Sequence, residues 1–519
     1  MTVTRLTDDA VQRFVCDGYL MLHCDLPNET HREIDERLRE VAEHESWHGN
    51  NIVSRIPRLH DVVRCPVVKG AISSLLGDDF LVHPHRAIHR STPVESEPMS
   101  LADDVDAPPM GKGSTAGSAW HQDAQSPLAR ARHHVPRFLV GFYFPHDTPK
   151  QMGPTRLQAG SYLWPHPLSQ PQGVIVPDVI AAGTFMLVHF DMVHAGLTNF
   201  SDQARYMVKF VFSRMSNPVD PNWDSRGASW LQQAPEAAIE LPDAWRHVWA
   251  WLRGDKARPD VRGNAADLSS NNPQIALSAI YRRYDTDELA RLLRSAGGQG
   301  RHERKLMPRK KEQSAVRDDI RGYPRCWNER AIVMENATYA LIAQGERAVP
   351  ALLRLLGEHD PWLDVNIAFA LGEIGHGSSP VLSALQQLLR SEYQQVVRQA
   401  IDAVAFIGAD ATLLLPEFDR LMRHTYPDWQ AKEVGRGWCA TDQVRLNIAF
   451  ACVALLPTAT DQSALYRLLC LALGDQGYAA QVAVEGLRRL GTEEALSAAL
   501  GYAMDRSWDD TLLGSVRGF

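Results

Sequence analysis

The chain has 519 residues, 45% of them hydrophobic and 22% charged, which is ordinary for a globular protein and too long for one core, so two or three domains are expected. Its formal charge of −8, from 54 basic and 62 acidic side chains, gives no electrostatic reason to expect nucleic acid or an anionic membrane as partner. No apolar run approaches the roughly 18 residues of a membrane helix, and the N-terminus has no basic-then-apolar leader pattern, so a cytoplasmic protein is expected. The seven cysteines lie at 16, 24, 65, 326, 439, 452 and 470 with no Cys-x-x-Cys pair, which argues against a disulfide framework or structural zinc and for buried thiols.

In chain order, residues 7 to 16 and 29 to 44 read as helices. Ser54 to Leu59 and Asp78 to Arg90 alternate loosely, and Phe80 to Arg90 reads as a strand that carries His83, His85 and His89. Three histidines there invite a second metal site, but contact with substrate or nearby backbone is the simpler expectation. Residues 91 to 118 turn to Pro, Ser, Gly and acidic side chains, a composition that cannot order itself, and a lid over bound substrate is expected. Arg137 to Phe144 reads as a strand. So do Thr184 to Val188 and the run that ends at Phe212, with a turn between them. After the turn-rich stretch Asn217 to Trp223, Asp243 to Leu252 reads as a short helix whose Trp245 and Trp249 share a face that covers the preceding domain.

Residues 297 to 312 form a basic tether, with no interleaved aromatics to suggest nucleic acid. Beyond residue 331 short segments recur: Leu341 to Gly345, Leu371 to Gly375, Val404 to Gly408 and Leu487 to Gly491, with a degenerate copy at Leu455 to Pro457. The glycines would end the second helix of each pair. Val349-Pro350 and Ser379-Pro380 would begin the next pair. Helical pairs at a fixed period bury a continuous core only by stacking, which predicts an α-solenoid, with Ile275 to Leu293 as an imperfect capping pair. This half is similar to short HEAT repeats. The extra residues from Tyr426 to Cys439 are aromatic and would emerge as a loop, packing on the N-terminal domain, gripping a partner or closing the active site.

The chemistry concentrates in Trp120-His121-Gln122-Asp123. Residues i and i+2 of an extended segment share a face, so His121 and Asp123 would present an imidazole nitrogen and a carboxylate oxygen side by side. His194 is the best-placed third ligand. Two histidines and one carboxylate on one side of a metal form the facial triad of non-haem Fe(II) oxygenases. Eleven residues on, Arg205 could fork onto a carboxylate bound deep in a barrel.

These residues carry a family resemblance. The stretch from about Leu6 to Arg253 resembles the phytanoyl-CoA dioxygenase family of Fe(II)/2-oxoglutarate enzymes, through Leu6 to Asp9 with Phe14 to Tyr19, Trp120 to Asp123, Gly153-Pro154-Thr155-Arg156 with Gly160-Ser161, and His194 with Asn199, Ser201 and Arg205. The resemblance implies a double-stranded β-helix (jelly-roll) domain of α+β class at residues 1–255. A helical and basic linker at 256–330 and an all-α HEAT-like solenoid at 331–519 would follow. It also implies that His121, Asp123 and His194 hold Fe(II), that Arg205 pairs with the distal carboxylate of 2-oxoglutarate, and that Thr155 faces the same cosubstrate. The chain departs from the family pattern at Met152, where Asn is usual, at Ala159 and Tyr162, which replace Pro and His, and at Gly196, where many members carry Ser.

The implied reaction couples O2 and the decarboxylation of 2-oxoglutarate to removal of hydrogen from an unactivated C–H bond. Related halogenases replace the carboxylate with a small residue. Because Asp123 is retained, hydroxylation is the default, with desaturation, ring formation or epoxidation drawing on the same residues. The substrate would be a small metabolite or a carrier-bound intermediate, recruited or shielded by the repeats, which could also hold a protein partner. The competing reading is a HEAT-repeat scaffold with a vestigial oxygenase domain.

Overall fold

The first helix, Asp8–Asp17, begins at Thr7, whose hydroxyl accepts from Ala10 N at 3.3 Å, and ends at Gly18 in the left-handed region. In the computed structural model, residues 3–44, 50, 52–94, 120–123, 131–168, 170–231, 235–255, 259–298, 332–424, 426–430, 439–475 and 477–507 are described. They fall into two compact units. Met1–Asp123 and His133–Asp255 build the first, and Ala124–Arg132 with Lys256–Asp509 the second.

The first unit is β-rich. Strands β1 (Tyr19–His23), β2 (Leu81–Ser91), β3 (Phe138–Phe144), β8 (Thr184–His189) and β10 (Arg205–Ser213) form an antiparallel sheet in the order β1-β8-β3-β10-β2. A smaller antiparallel sheet has the order β6-β5-β9, from β5 (Thr155–Gln158), β6 (Val174–Ile175) and β9 (His194–Gly196), and β4 (Thr148–Pro149) pairs with β7 (Val179–Ile180). One face of the large sheet is aromatic: Phe185, Phe210 and Phe212 pack with ring centroids 6.2 to 6.4 Å apart. Each fully buried ring of this kind contributes about 1.5–3 kcal/mol. Gly141 on β3 makes the packing feasible, because a Cβ there would lie 2.1 Å from Phe185 Cζ. On the same face Tyr143 Oη meets His31 Nδ1 of helix Asn28–His44 at 2.7 Å, fixing that helix against the sheet.

The first helix is tied to the segment that leaves β10. Asp8 accepts from Trp223 Nε1 at 2.6 Å and from Arg226 N at 2.8 Å, and Asp17 accepts from Glu236 N at 2.8 Å. The helix Pro242–Leu252 buries Trp245 and Trp249, with the Trp249 ring 5.2 Å from that of Trp223. The loose alternation at Ser54 to Leu59 does not make a strand. The chain forms the helices Ile52–Arg55 and Leu59–Arg64 instead, with Pro57 between them, a residue that cannot donate to a central ladder.

The second unit is helical. Helices Pro273–Ile280 and Thr286–Gly298 precede the pairs that run from Asn336–Ala343 to Glu493–Ser507. Gln344 binds the first pair to the array, donating from Nε2 to Arg282 O at 3.0 Å. The recurring glycines work as punctuation: Gly375 and Gly491 cap Pro361–Ile374 and Tyr478–Leu490 in the left-handed region, while Gly345 and Gly408 also have positive φ. Buried asparagines pin the register. Asn366 Oδ1 accepts from Thr338 Oγ1 at 2.7 Å, and Asn447 Nδ2 donates to Asp402 Oδ1 at 3.2 Å. This unit also takes in Ala131, which pairs in parallel with Ile332, and the carbonyl of Arg132, which accepts from the Tyr339 hydroxyl at 2.7 Å.

Trp429 is buried, and its indole donates to Glu392 O at 2.8 Å, so this aromatic of the predicted loop packs on the solenoid's own helices. Residues 431–438 of that loop, residues 95–118 of the expected lid and the tether from residue 299 lie outside the described residues, as does Cys326. The other six cysteines are unpaired, and all but Cys470 are buried. No helix among the described residues is long and apolar enough to cross a membrane.

Candidate active site

His194 opens β9, where the register sets it across from Leu157 and sets Gly196 across from Thr155. His121 joins that sheet by one antiparallel bridge, exchanging backbone hydrogen bonds with His194 at 3.1 and 2.9 Å, rather than through a regular strand. The bridge brings the two imidazoles to a centroid distance of 4.4 Å. One ligand atom from each of His121, Asp123 and His194 lies within 4.8 Å of the other two, the one such cluster among the described residues.

Neighbouring groups hold these side chains in place. Gln122 is buried, and its Nε2 donates to Asp191 O at 2.8 Å and Trp164 O at 3.0 Å, which pins the short motif from the side away from its ligands. Arg156 stacks over Trp120 with 4.6 Å from guanidinium carbon to ring centroid. Ser161 Oγ accepts from Val193 N at 2.9 Å and so fixes the chain entering His194. His194 Nδ1 lies 3.0 Å from Met192 O; a proton on Nδ1 leaves Nε2 with its lone pair available. Burial, then the neighbouring His121, depresses the imidazole to about 3, so the ring is held in its neutral form.

Asp123 faces the large sheet. The buried Lys209 ammonium of β10 bonds to its Oδ2, the oxygen that is 3.9 Å from His194 Nε2. Burial acts to raise the Asp123 carboxyl, but Lys209, His194 and His121 outweigh it and hold the acid below its ordinary range. Phe142, across the ladder from Lys209, closes the apolar side with its ring 5.4 Å from that of His194. Two imidazoles and a carboxylate from one side suit a divalent first-row metal with open positions.

Arg205 begins β10, four residues before Lys209 and on the same face. It is buried, which depresses its guanidinium to about 10, and Nη1 donates to His89 O at 3.4 Å. Its Nε is buried with no hydrogen-bond partner among the described residues, a donor that an incoming carboxylate would satisfy. Thr155 is buried opposite Gly196, so its hydroxyl-bearing side chain shares the face on which Gly196 offers no side chain. Asn199 and Ser201 are structural: Asn199 Nδ2 donates to Ser91 O and Gln203 O at 3.0 and 2.8 Å, and Ser201 Oγ donates to its Oδ1 at 2.7 Å, shaping the turn into β10. Tyr162 is a strut whose hydroxyl donates to Val15 O at 2.6 Å.

Of the three histidines on β2, His83 Nδ1 accepts from His85 N at 2.8 Å. His85 feels Lys209 and Asp123, and burial, followed by Lys209, depresses it to about 3. No metal cluster includes them among the described residues. Lys209 and Gln122 escaped the sequence reading. Lys209 had a signal, its i+4 spacing from Arg205 on one strand, whereas nothing local distinguishes Gln122.

Comparison with known proteins places the two halves separately. Residues 14–207 match the model of the phytanoyl-CoA dioxygenase family, and residues 328–405 match HEAT repeats. Similar solved structures include the nickel complex of the non-heme monooxygenase ThoJ, 18% identical, covering 46% of this chain and 94% of that chain with a TM-score of 0.29. The epimerase SnoN, in complex with Fe3+, alpha ketoglutarate and nogalamycin RO, is 17% identical, covering 45% and 97% with a TM-score of 0.31. EctD from S. alaskensis with bound Fe is 14% identical, covering 48% and 84% with a TM-score of 0.31. No curated protein matches the chain.

Proposed function

We propose that the chain is an Fe(II)/2-oxoglutarate-dependent oxygenase acting on a small-molecule or carrier-bound substrate, a reading supported by the match of residues 14–207 to the phytanoyl-CoA dioxygenase family model and of residues 328–405 to HEAT repeats. In this reading residues 1–255 are a double-stranded β-helix domain, 256–330 a linker with capping helices, and 331–519 a solenoid that recruits the substrate or a protein partner. His121, Asp123 and His194 hold the iron, Arg205 takes the distal carboxylate of 2-oxoglutarate, and Thr155 faces the same cosubstrate. The observation that carries it is the convergence of three ligand atoms within 4.8 Å from residues 73 positions apart in sequence, beside a buried arginine with an unsatisfied Nε.

Iron bound with 2-oxoglutarate and O2 supplies an oxidant able to take hydrogen from an unactivated C–H bond. The chain's own residues do the positioning. Met192 O orients His194, Gln122 stops the His121–Asp123 segment from shifting, and the Phe142 ring keeps water from one side of His194. Arg205 gives the cosubstrate a single orientation by forking onto one end of it. Retention of Asp123 favours hydroxylation as the outcome.

The test is succinate release by the full chain with Fe(II), 2-oxoglutarate and O2. Steady turnover that disappears in Asp123→Ala supports the reading. No succinate and no metal binding by the wild-type chain would overturn it.

A further inference from the structure

Lys209 has no part in the reaction described above, yet it touches a proposed metal ligand. It is 4% exposed, in the interior strand β10, and a buried ammonium needs a compensating charge. Its bond is to Asp123 Oδ2. That oxygen is also the one 3.9 Å from His194 Nε2, so a metal shared by these two residues and the lysine draw on the same lone pairs. Arg205, the other buried cation on this face, bonds instead to His89 O, so the two cations have separate duties.

Resting on the reading of His121, Asp123 and His194 as the metal site, we propose that Lys209 is a positioning residue that competes with the metal for Asp123. Its ammonium holds the carboxylate in place and charge-compensated until metal binds, and then gives up Oδ2. Two effects set the direction. A divalent cation at the triad repels an ammonium a few ångströms away, and the ion pair must open for the oxygen to be shared. Phe142 is across from Lys209 on β3 and the small Ala87 is its partner on β2, where His85 and His89 lie near enough to feel the ammonium and could receive it when it leaves Asp123. Lys209 therefore tunes metal affinity downward while keeping the loop-borne Asp123 in register.

The test uses the full chain under anaerobic conditions, titrated with Mn2+ and separately with Co2+ by calorimetry, comparing wild type, Lys209→Met, Lys209→Gln and Lys209→Arg. Lys209→Met and Lys209→Gln should bind metal at least about tenfold tighter than wild type, while Lys209→Arg, which keeps the charge, should stay near wild type. In thermal melts without added metal the two neutral variants should unfold earlier, and metal should raise their midpoint more than it raises that of wild type. If the methionine variant does not fold, the glutamine variant carries the comparison. Equal or weaker metal binding by the neutral variants would overturn the competition and make Lys209 an aid to metal binding. A wild-type chain that binds neither ion would overturn the site reading itself and this inference with it.

Discussion

The role proposed for Arg205 is separable from the metal. The Arg205 Nε is buried without a partner among the described residues, so a bound carboxylate would complete it, and charge-assisted forked bonds of this kind are worth about 2–3 kcal/mol. Arg205→Met should therefore raise the KM for 2-oxoglutarate roughly 30- to 150-fold and leave Mn2+ affinity unchanged. Equal loss of both would mean that the arginine supports the site as a whole. Gln122→Leu should act on the metal instead, because it leaves the carbonyls of Asp191 and Trp164 buried without their donor at a cost of about 1–3 kcal/mol. Weaker metal binding together with a lower melting temperature is expected; an unchanged Mn2+ affinity would show that the motif does not need this anchor. At this scale the three side chains that converge, His121, Asp123 and His194, were legible because a His-x-Asp pair and a distant His-Arg pair are local patterns. Gln122 and Lys209 were not, since their meaning comes from contacts 69 and 86 residues away.

Elements were read well where one local rule governed them and poorly where two competed. The solenoid's glycines and prolines announce helix ends whatever surrounds them, and β3 and β10 are long apolar runs. The alternation at Ser54 to Leu59 pointed the other way because a short apolar pattern does not distinguish strand from helix, and Pro57 decided it. Trp429 belongs to an insertion expected to pack on the N-terminal domain, grip a partner or close the active site, yet its indole finds Glu392 O within its own array.

Two changes test these elements. Gly141→Ala should destabilise the first unit by about 1–3 kcal/mol, because its methyl would overlap the Phe185 ring, and a near-neutral effect would mean that the ring can move aside. Asp364, in the helix Pro361–Ile374, is pushed up to about 7 by burial and then by Asp360, and its Oδ1 is buried without a partner among the described residues. Unfolded aspartate titrates near about 3.9, so the folded chain binds this proton more tightly and loses stability as pH rises from about 4 through 7. Asp364→Asn should accordingly stabilise the chain above pH 7 by several degrees in melting temperature and do nothing near pH 4. A pH-independent effect would contradict the burial of the charge.

For the whole molecule, the β-rich unit carries the proposed chemistry and the helical unit supplies a repeat surface, and sequence pattern separated the two because strand and helix periods differ. The jelly-roll wrapping and the lid were expectations of another kind, since both depend on how distant segments close over one another. The claim on which the account rests is that the triad holds one metal at which 2-oxoglutarate is consumed. The most direct measurement is an anaerobic titration of the full chain with Fe(II) in the presence of 2-oxoglutarate, followed by admission of O2 and quantification of succinate in wild type and His121→Ala. One iron per chain and succinate formation lost in His121→Ala are predicted. Iron bound equally by both chains, with succinate in neither or in both, would contradict the claim.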